Sequence, residues 1–482
     1  MEDVLKSALD AARVLGATFA EARLVDERSE SYEVKNGKPA AASSSASVGL
    51  GVRVIIDGCW GFAAVADVSK KSQAARVAKL AARIARASAI VRAAEPAKLG
   101  PGGEPGEGRY STPVQEDPFA VSVEEKLGLL AAAEKRLRGP ELPVTQAFLS
   151  IFRKRTHFAN TEGVSFDQDI VETGAGIAAT AVRGSDFQVR SYPNSFRGNF
   201  ATAGFEYVRA MDLAGNAERV SAEARQLLDA PQCPAGRRDV VLDGGQLALQ
   251  VHESIGHPIE LDRVFGTEAA YAGTSFLTTE KLGGFKYGSE HVNVVADATE
   301  PGGLGTFGFD DEGTPGKRVD VIRNGVFVGY ISDRESAARL NLASSGAARA
   351  DGWGRIPLVR MTNINLLPGE WKFDDLLADT EGGLYLATNR SWSIDDRRLN
   401  FQFGTEVAWD ISGGKLGRMY KNPTYTGITP EFWGSCDAVC SRDFWKMWGT
   451  PNCGKGQPGQ TAHVGHGTSP ARFRNVQVGV VK

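Results

Sequence analysis

Near its middle the chain breaks into two textures, and that break limits the folds open to it more than any other feature. Residues 229–238, DAPQCPAGRR, hold two prolines, a glycine and no apolar periodicity, the composition of a segment between domains. At 482 residues the chain is too long for one ordinary core. The expectation is a two-domain α+β protein, with an N-terminal α/β domain at 1–232 and a β-rich domain at 239–482. The first part opens with helical spacing at Val4, Leu5, Leu9, Ala12 and Val14. Helices are expected near 69–95, 120–138 and 210–229, with β runs between them. Asp57-Gly58, the Asn160–Gly163 tip and Asn324-Gly325 read as hairpin turns, because a type I′ turn needs positive φ at its central residues. The proline- and glycine-rich stretch 96–118 reads as a long loop.

Composition narrows the function classes. Apolar residues make up 42%, charged residues 23%, and the net charge is −3 with no basic block. Nothing here calls for a nucleic-acid partner or an anionic membrane. The acidic, helix-periodic N-terminus is unlike a secretory signal. No stretch of about 18 uninterrupted apolar residues suggests a transmembrane helix. Five cysteines at irregular spacing fit reduced thiols in a cytoplasm better than a disulfide framework.

The chemistry concentrates in Leu249-Gln-Val-His252-Glu253-Ser-Ile-Gly256-His257-Pro258. In H-E-x-x-H helices two histidines four apart share a face and bind zinc, with the glutamate as general base. Here the spacing is five, which at 100° per residue leaves the side chains about 140° apart rather than about 40°. A regular helix would not aim both imidazoles at one ion. Gly256 can loosen the turn, Pro258 cannot continue the ladder, and a π-type turn would return His257 beneath His252. A distorted helix end is therefore expected.

A catalytic zinc takes three protein ligands and a water. His291 reads as a surface residue, and the candidates lie near the C-terminus: Cys436, Cys440, Cys453, His463 and His466. Cys453 is favoured because its glycine-dense loop lets the backbone come close to an ion. A rival reading is a closed structural zinc held by Cys436, Cys440, Cys453 and either His463 or His466. Glu260 and Asp262 are candidates to orient a ligating imidazole. Asp310-Asp311-Glu312 reads first as a solvated turn. Trp433, Trp445 and Trp448 read as core. The glycine-rich runs match neither a P-loop nor a dinucleotide fingerprint.

HESIGHPIELD, followed downstream by CGKGQPGQ and HGTSPARFRNVQVG, closely resembles the TldD half of the TldD/PmbA (TldE) family. So do GVRVIIDGCWGFA, FDDEGTPG, NGVFVGYISDRESA and TPEFWGSCDAVC. The resemblance implies a zinc metallopeptidase with His252, His257 and Cys453 on Zn2+ and Glu253 as base. It further implies cleavage of unfolded peptides, a role as modulator of DNA gyrase through antitoxin degradation and peptide maturation, and pairing with a TldE/PmbA-like chain or a homodimer around an enclosed site. The alternatives from the residues are a non-catalytic assembly protein with a structural zinc and a zinc hydrolase of non-peptide amides.

Overall fold

A computed structural model describes residues 2–66, 68, 71–92 and 95–479. The helix expected over 69–95 is present as Lys71–Ile90; the positions 69, 70, 93 and 94 lie outside the described residues. The other expected helices form as Glu2–Val14, Val123–Leu137 and Leu213–Asp229, the last preceded by a short helix, Phe205–Ala210, that was not expected. Ser122 caps Val123–Leu137 by accepting from the Glu125 N–H at 3.1 Å, with Glu124 and Glu125 in its first turn, so the first turn's free donors meet negative charge.

In the first half, eight strands among the described residues form one sheet running 59–65, 38–56, 19–35, 144–160, 164–183 and 106–111, with 186–192 and 199–201 also paired to 164–183. Helices cover it through two apolar clusters. Leu5, Leu9, Val77 and Ala81 pack on Val52 and Val54; Leu130, Leu137, Val220 and Ala224 pack on Leu149, Ile151 and Ile177. The hairpin turns form as expected: Asp57 and Gly58 have φ 54° and 71°, and Asn324 and Gly325 have φ 48° and 76°.

The 96–118 segment is not loop throughout. Gly106–Ser111 is a strand that pairs in parallel with residues 164–169. Its sequence has no apolar alternation, so only docking decides it. A side chain at Gly108 would strike the Phe309 ring at 2.1 Å, which explains the glycine within a strand.

In the second half, Gly236–Leu242, Leu384–Ile394, Asn400–Ser412, Thr424–Ile428 and Ala471–Val478 pair in a closed circuit. Leu384–Ile394 bonds to both Gly236–Leu242 and Asn400–Ser412. Two further strands, Lys415–Tyr420 and Cys436–Val439, branch from this circuit, and the buried core beside it holds Val240, Leu242, Phe403, Tyr425, Phe432 and Phe473. Helix Gly244–Val251 leaves this circuit directly from Leu242.

Charged pairs join the halves. Arg53 bridges Glu21 at 2.8 Å and Glu312 at 2.6 Å, Arg23 reaches Asp311 at 3.2 Å, and Arg190 meets Glu406 at 2.8 Å. Asp310, Asp311 and Glu312 are thus buried, at 2, 8 and 2% exposure, and are not the solvated turn expected. Their composition resembled a surface turn; the compensating arginines come from far away in sequence.

Nearby, Asp333 caps the helix Arg334–Ala338, its Oδ1 accepting from the Ser336 N–H at 2.7 Å. Burial, then the negative charges of Glu312 and Asp262, push its carboxyl from 3.8 up to about 7. Across that window the folded chain holds a proton that the unfolded chain has released. Stability therefore falls as pH rises through it. Asp333→Asn keeps Oδ1 as the cap and removes the charge. Thermal unfolding should show the variant more stable at pH 8, by on the order of 1 kcal/mol or more, and nearly equal to wild type at pH 4. An offset independent of pH would disprove the account.

Candidate metal centre

Asp243 fixes the start of the metal-motif helix. Its carboxylate accepts from the Gln246 N–H at 2.9 Å and the Gly245 N–H at 3.1 Å. The helix then changes pitch. His252–Gly256 is a π turn, and the His257 N–H donates to the His252 carbonyl, five residues back, at 3.1 Å. The expected distortion is there, and the surroundings show what holds it. Tyr287 Oη–H donates to the Ser254 carbonyl, and Trp433 Nε1–H donates to Ser254 Oγ at 2.9 Å. A side chain at Gly256 would meet Met361 Sδ at 2.2 Å. Widened turns leave backbone groups without their ordinary partners, and a buried phenol here supplies one.

The turn brings both imidazoles to one point, and Cys453 joins them from the strand Lys446–Lys455. Its Sγ lies 3.5 Å from His252 Nε2 and 3.9 Å from His257 Nε2. All three donor atoms fall within 4.8 Å of one another. A tetrahedral zinc with ordinary bond lengths has a sulfur–nitrogen edge of about 3.6 Å, so the spacing fits. The donor chemistry fits as well. Burial lowers the pKa of His252 and of His257, which favours neutral imidazoles. Burial pushes the Cys453 thiol up, but the Arg360 guanidinium and His257 outweigh it and leave it lowered. Neutral imidazole and thiolate are the forms that bind metal.

Neighbours fix which nitrogens face the centre. His257 Nδ1–H donates to Glu260 Oε2 at 3.0 Å, and His252 Nδ1 pairs with His466 Nε2 at 2.8 Å, a bond in which His252 donates when its Nε2 is given to a metal. Glu260 is fully buried; burial raises its pKa, yet Lys455, His257 and Arg263 hold it well below the usual carboxylate range. Asp262 does not touch an imidazole. It accepts from Lys455 Nζ at 2.7 Å, and Lys455 also lies 3.4 Å from Glu260 Oε1.

Glu253, 5% exposed, faces the same cavity and accepts from Arg398 Nη1–H at 2.7 Å. The cavity measures about 290 Å³; His252, Glu253, His257 and Cys453 share its walls with Asn194, Phe196, Trp392, Arg398 and Trp448. Trp448 is therefore a cavity residue and not core as expected, whereas Trp433 is fully buried.

The rival set does not assemble. Cys436 and Cys440 pack in separate apolar clusters, and burial pushes each thiol up to about 12. His463 turns away and pairs with Glu172 at 2.5 Å, and His291 is exposed. Arg398, Arg360 and Lys455 escaped the sequence reading. Lys455, two residues after Cys453, was the one with a local signal; Arg398 stands in a polar turn, DDRRLN, that resembles any hairpin loop.

A profile of the PmbA/TldA metallopeptidase C-terminal domain matches residues 235–479, and one of the PmbA/TldA metallopeptidase domain 1 matches 20–89. The chain belongs to the TldD/PmbA family. Among its relatives, a metalloprotease of Methanocaldococcus jannaschii is 29% identical over 458 residues, covering 93% of this chain and 94% of that protein. A zinc metalloprotease TldD homolog of Saccharolobus solfataricus is 26% identical over 246 residues, 51% of this chain and 52% of the relative. A Thermotoga maritima structure, described as a candidate modulator of a DNA gyrase, superposes with a TM-score of 0.77 at 17% identity over 99% of this chain and all of that one. TldE from Thermococcus kodakarensis gives 0.73 at 16% identity over 99% of this chain and 100% of its own. These two likenesses establish the family fold.

Glu260→Gln removes the charge that orients His257 while keeping its shape. Metal affinity, measured by competition with a chromophoric chelator, should fall about 10–100-fold. An unchanged affinity would remove Glu260 from the account.

Proposed function

We propose that the chain is a zinc-dependent metallopeptidase that hydrolyses unfolded or short peptides, with Glu253 as general base. One observation carries the reading: the His252, His257 and Cys453 donors converge within 4.8 Å on a cavity that also presents Glu253. His252, His257 and Cys453 would hold the ion. Bound there, zinc supplies a water ionised near neutral pH and an electrophile for a carbonyl oxygen.

The chain's own residues do the rest. Glu253 takes a proton from the attacking water and returns it to the departing amine. Arg398 holds the Glu253 carboxylate in place by its 2.7 Å hydrogen bond. Glu260 and His466 keep the ligating nitrogens free of protons. The four central residues are only 4–5% exposed, so water is largely excluded and a folded substrate would not reach them. An extended peptide is the substrate that suits this burial.

Three further parts of the reading rest on likeness and composition. The TldE neighbour supports assembly with a TldE/PmbA-like chain, with a homodimer as the other form. The name of the Thermotoga maritima neighbour supports a role in modulating DNA gyrase, which the peptidase reading would assign to peptide cleavage. Five free cysteines favour the cytoplasm; no helix among the described residues is long and apolar enough to cross a membrane.

The test is paired. Wild type and Glu253→Gln, each with and without a TldE-like partner, should bind about one zinc per chain. Only wild type should cleave a casein fragment, with the variant slower by at least about 10²-fold. Chelation should abolish cleavage and added zinc restore it. Equal cleavage by both proteins would dismiss Glu253 as base. Zinc bound with no cleavage by any combination would favour a structural site in an assembly protein.

A further inference from the structure

Arg398 is more than its ion pair requires. The loop that carries it is pinned. Asp395 accepts from the Leu399 N–H at 2.8 Å and the Asn400 N–H at 3.1 Å, Thr429 Oγ1–H donates to the Arg398 carbonyl at 2.9 Å, and the Phe276 N–H donates to the Arg397 carbonyl at 2.9 Å. Within it Arg398 has φ 64°, a left-handed conformation that a side-chain-bearing residue keeps only where its surroundings impose it, commonly at functional sites.

The guanidinium so placed is under-used. Nη1 donates to Glu253 at 2.7 Å, Nη2 has only a 3.5 Å approach to the Ala272 carbonyl, and buried Nε has no partner. Five N–H donors in a rigid fork thus make one short bond. Two residues that line the same cavity also carry a buried donor without a partner, Trp448 at Nε1 and Ser195 at Oγ. Buried donors are normally satisfied. In a cavity-lining arginine beside a general base, the weakly engaged Nη2 is the donor left for an acceptor that arrives with the substrate.

We propose that Arg398 is a catalytic residue, donating to the carbonyl oxygen of the scissile bond as that oxygen becomes an oxyanion. The inference rests on the peptidase reading. During attack the water oxygen bonds to the carbonyl carbon, the π pair moves onto the carbonyl oxygen, and the water proton passes to Glu253. On collapse the pair returns, the C–N bond breaks, and Glu253 gives its proton to the amine. Negative charge leaves Glu253 and appears on the oxyanion, so the guanidinium gains most in the transition state, which is the condition for raising kcat. Arginine suits the task because one nitrogen of the fork can hold Glu253 while another meets the oxyanion; a lysine offers one point of charge.

The test uses zinc-loaded protein with its partner supplied, a disordered peptide as substrate, and a phosphinic peptide as a mimic of the tetrahedral oxyanion. Arg398→Ala should lower kcat about 10²–10³-fold and change KM by less than about threefold. It should weaken the phosphinic peptide about as much as kcat falls, with zinc content unchanged. In a Glu253→Gln background, affinity for the uncleaved peptide should be the same with and without Arg398. Guanidinium ion should restore part of the Arg398→Ala activity. If that variant fails to fold, Arg398→Lys carries the test, with a smaller loss of kcat at constant KM. A rise in KM alone, or equal weakening of phosphinic and uncleaved peptides, would make Arg398 a substrate anchor and overturn the proposal. Loss of zinc would overturn it in favour of a structural role. If wild type cleaves and Arg398→Ala keeps its kcat, this inference fails alone; if zinc-loaded wild type cleaves nothing, the peptidase reading fails and takes it along.

Discussion

The five-residue step from His252 to His257 is the constraint on which the site depends, because a regular helix would turn one imidazole away from the other. The π turn removes that obstacle at a local cost: it widens the backbone and leaves carbonyls without regular partners. Much of the surrounding core can be understood as meeting that cost. Tyr287 bonds the Ser254 carbonyl and Trp433 bonds the Ser254 hydroxyl. One turn earlier, Gln246 and Gln250 are tied to the Tyr425 hydroxyl at 2.8 and 2.9 Å. These are buried polar groups with named partners, so each resists straightening the helix. Gly256 belongs to the same device, since Met361 fills the space a side chain would take.

The third donor comes from 196 residues beyond His257, and buried charges join apolar packing in fixing its approach. Lys455 follows Cys453 by two residues and reaches Asp262 at 2.7 Å, just past the π turn. Arg360 donates to the Cys453 carbonyl at 2.5 Å. Buried ion pairs of this kind add little net stability, because desolvation offsets their attraction; their clearer effect is to penalise any other arrangement. Glu260 links the two systems, its Oε2 meeting His257 and Arg263 and its Oε1 facing Lys455. The donors are held together by the protein's own contacts, which is the preorganisation a metal centre needs.

What could be read in the sequence follows from the range of each interaction. Hairpin turns and helices depend on neighbours within a few residues, and Asp57-Gly58, Asn324-Gly325 and the helix ends were legible. So was the strained helix end, since spacing and Gly256 both lie within six residues. Features set by distant partners were not. Asp310–Glu312 looks like a surface turn until Arg23 and Arg53 arrive from the other half. Gly106–Ser111 looks like a loop until it docks beside residues 164–169. Glu260 and Asp262 were equal candidates beside His257; the fold gives the imidazole to Glu260 and turns Asp262 to Lys455, 193 residues away.

The cavity shows why neither half is dispensable. Asn194, Ser195, Phe196 and Gly198 come from the first half and line it beside the metal motif. Their path is fixed by a close approach: a side chain at Gly198, whose φ is 98°, would overlap the Ala175 carbonyl at 1.9 Å. That contact sets where Phe196 stands, edge-on to Trp392 of the second half at 5.3 Å, with both rings still partly exposed. The aromatic pair thus borders a cavity whose chemical groups are almost wholly buried. Ion pairs such as Arg190–Glu406 join the strand carrying residues 186–192 to the closed circuit, and so hold together the two halves that wall the cavity. Under the peptidase reading, selectivity for an extended substrate rests on the burial of His252, Glu253, His257 and Cys453, at 4–5% exposure, between the two halves.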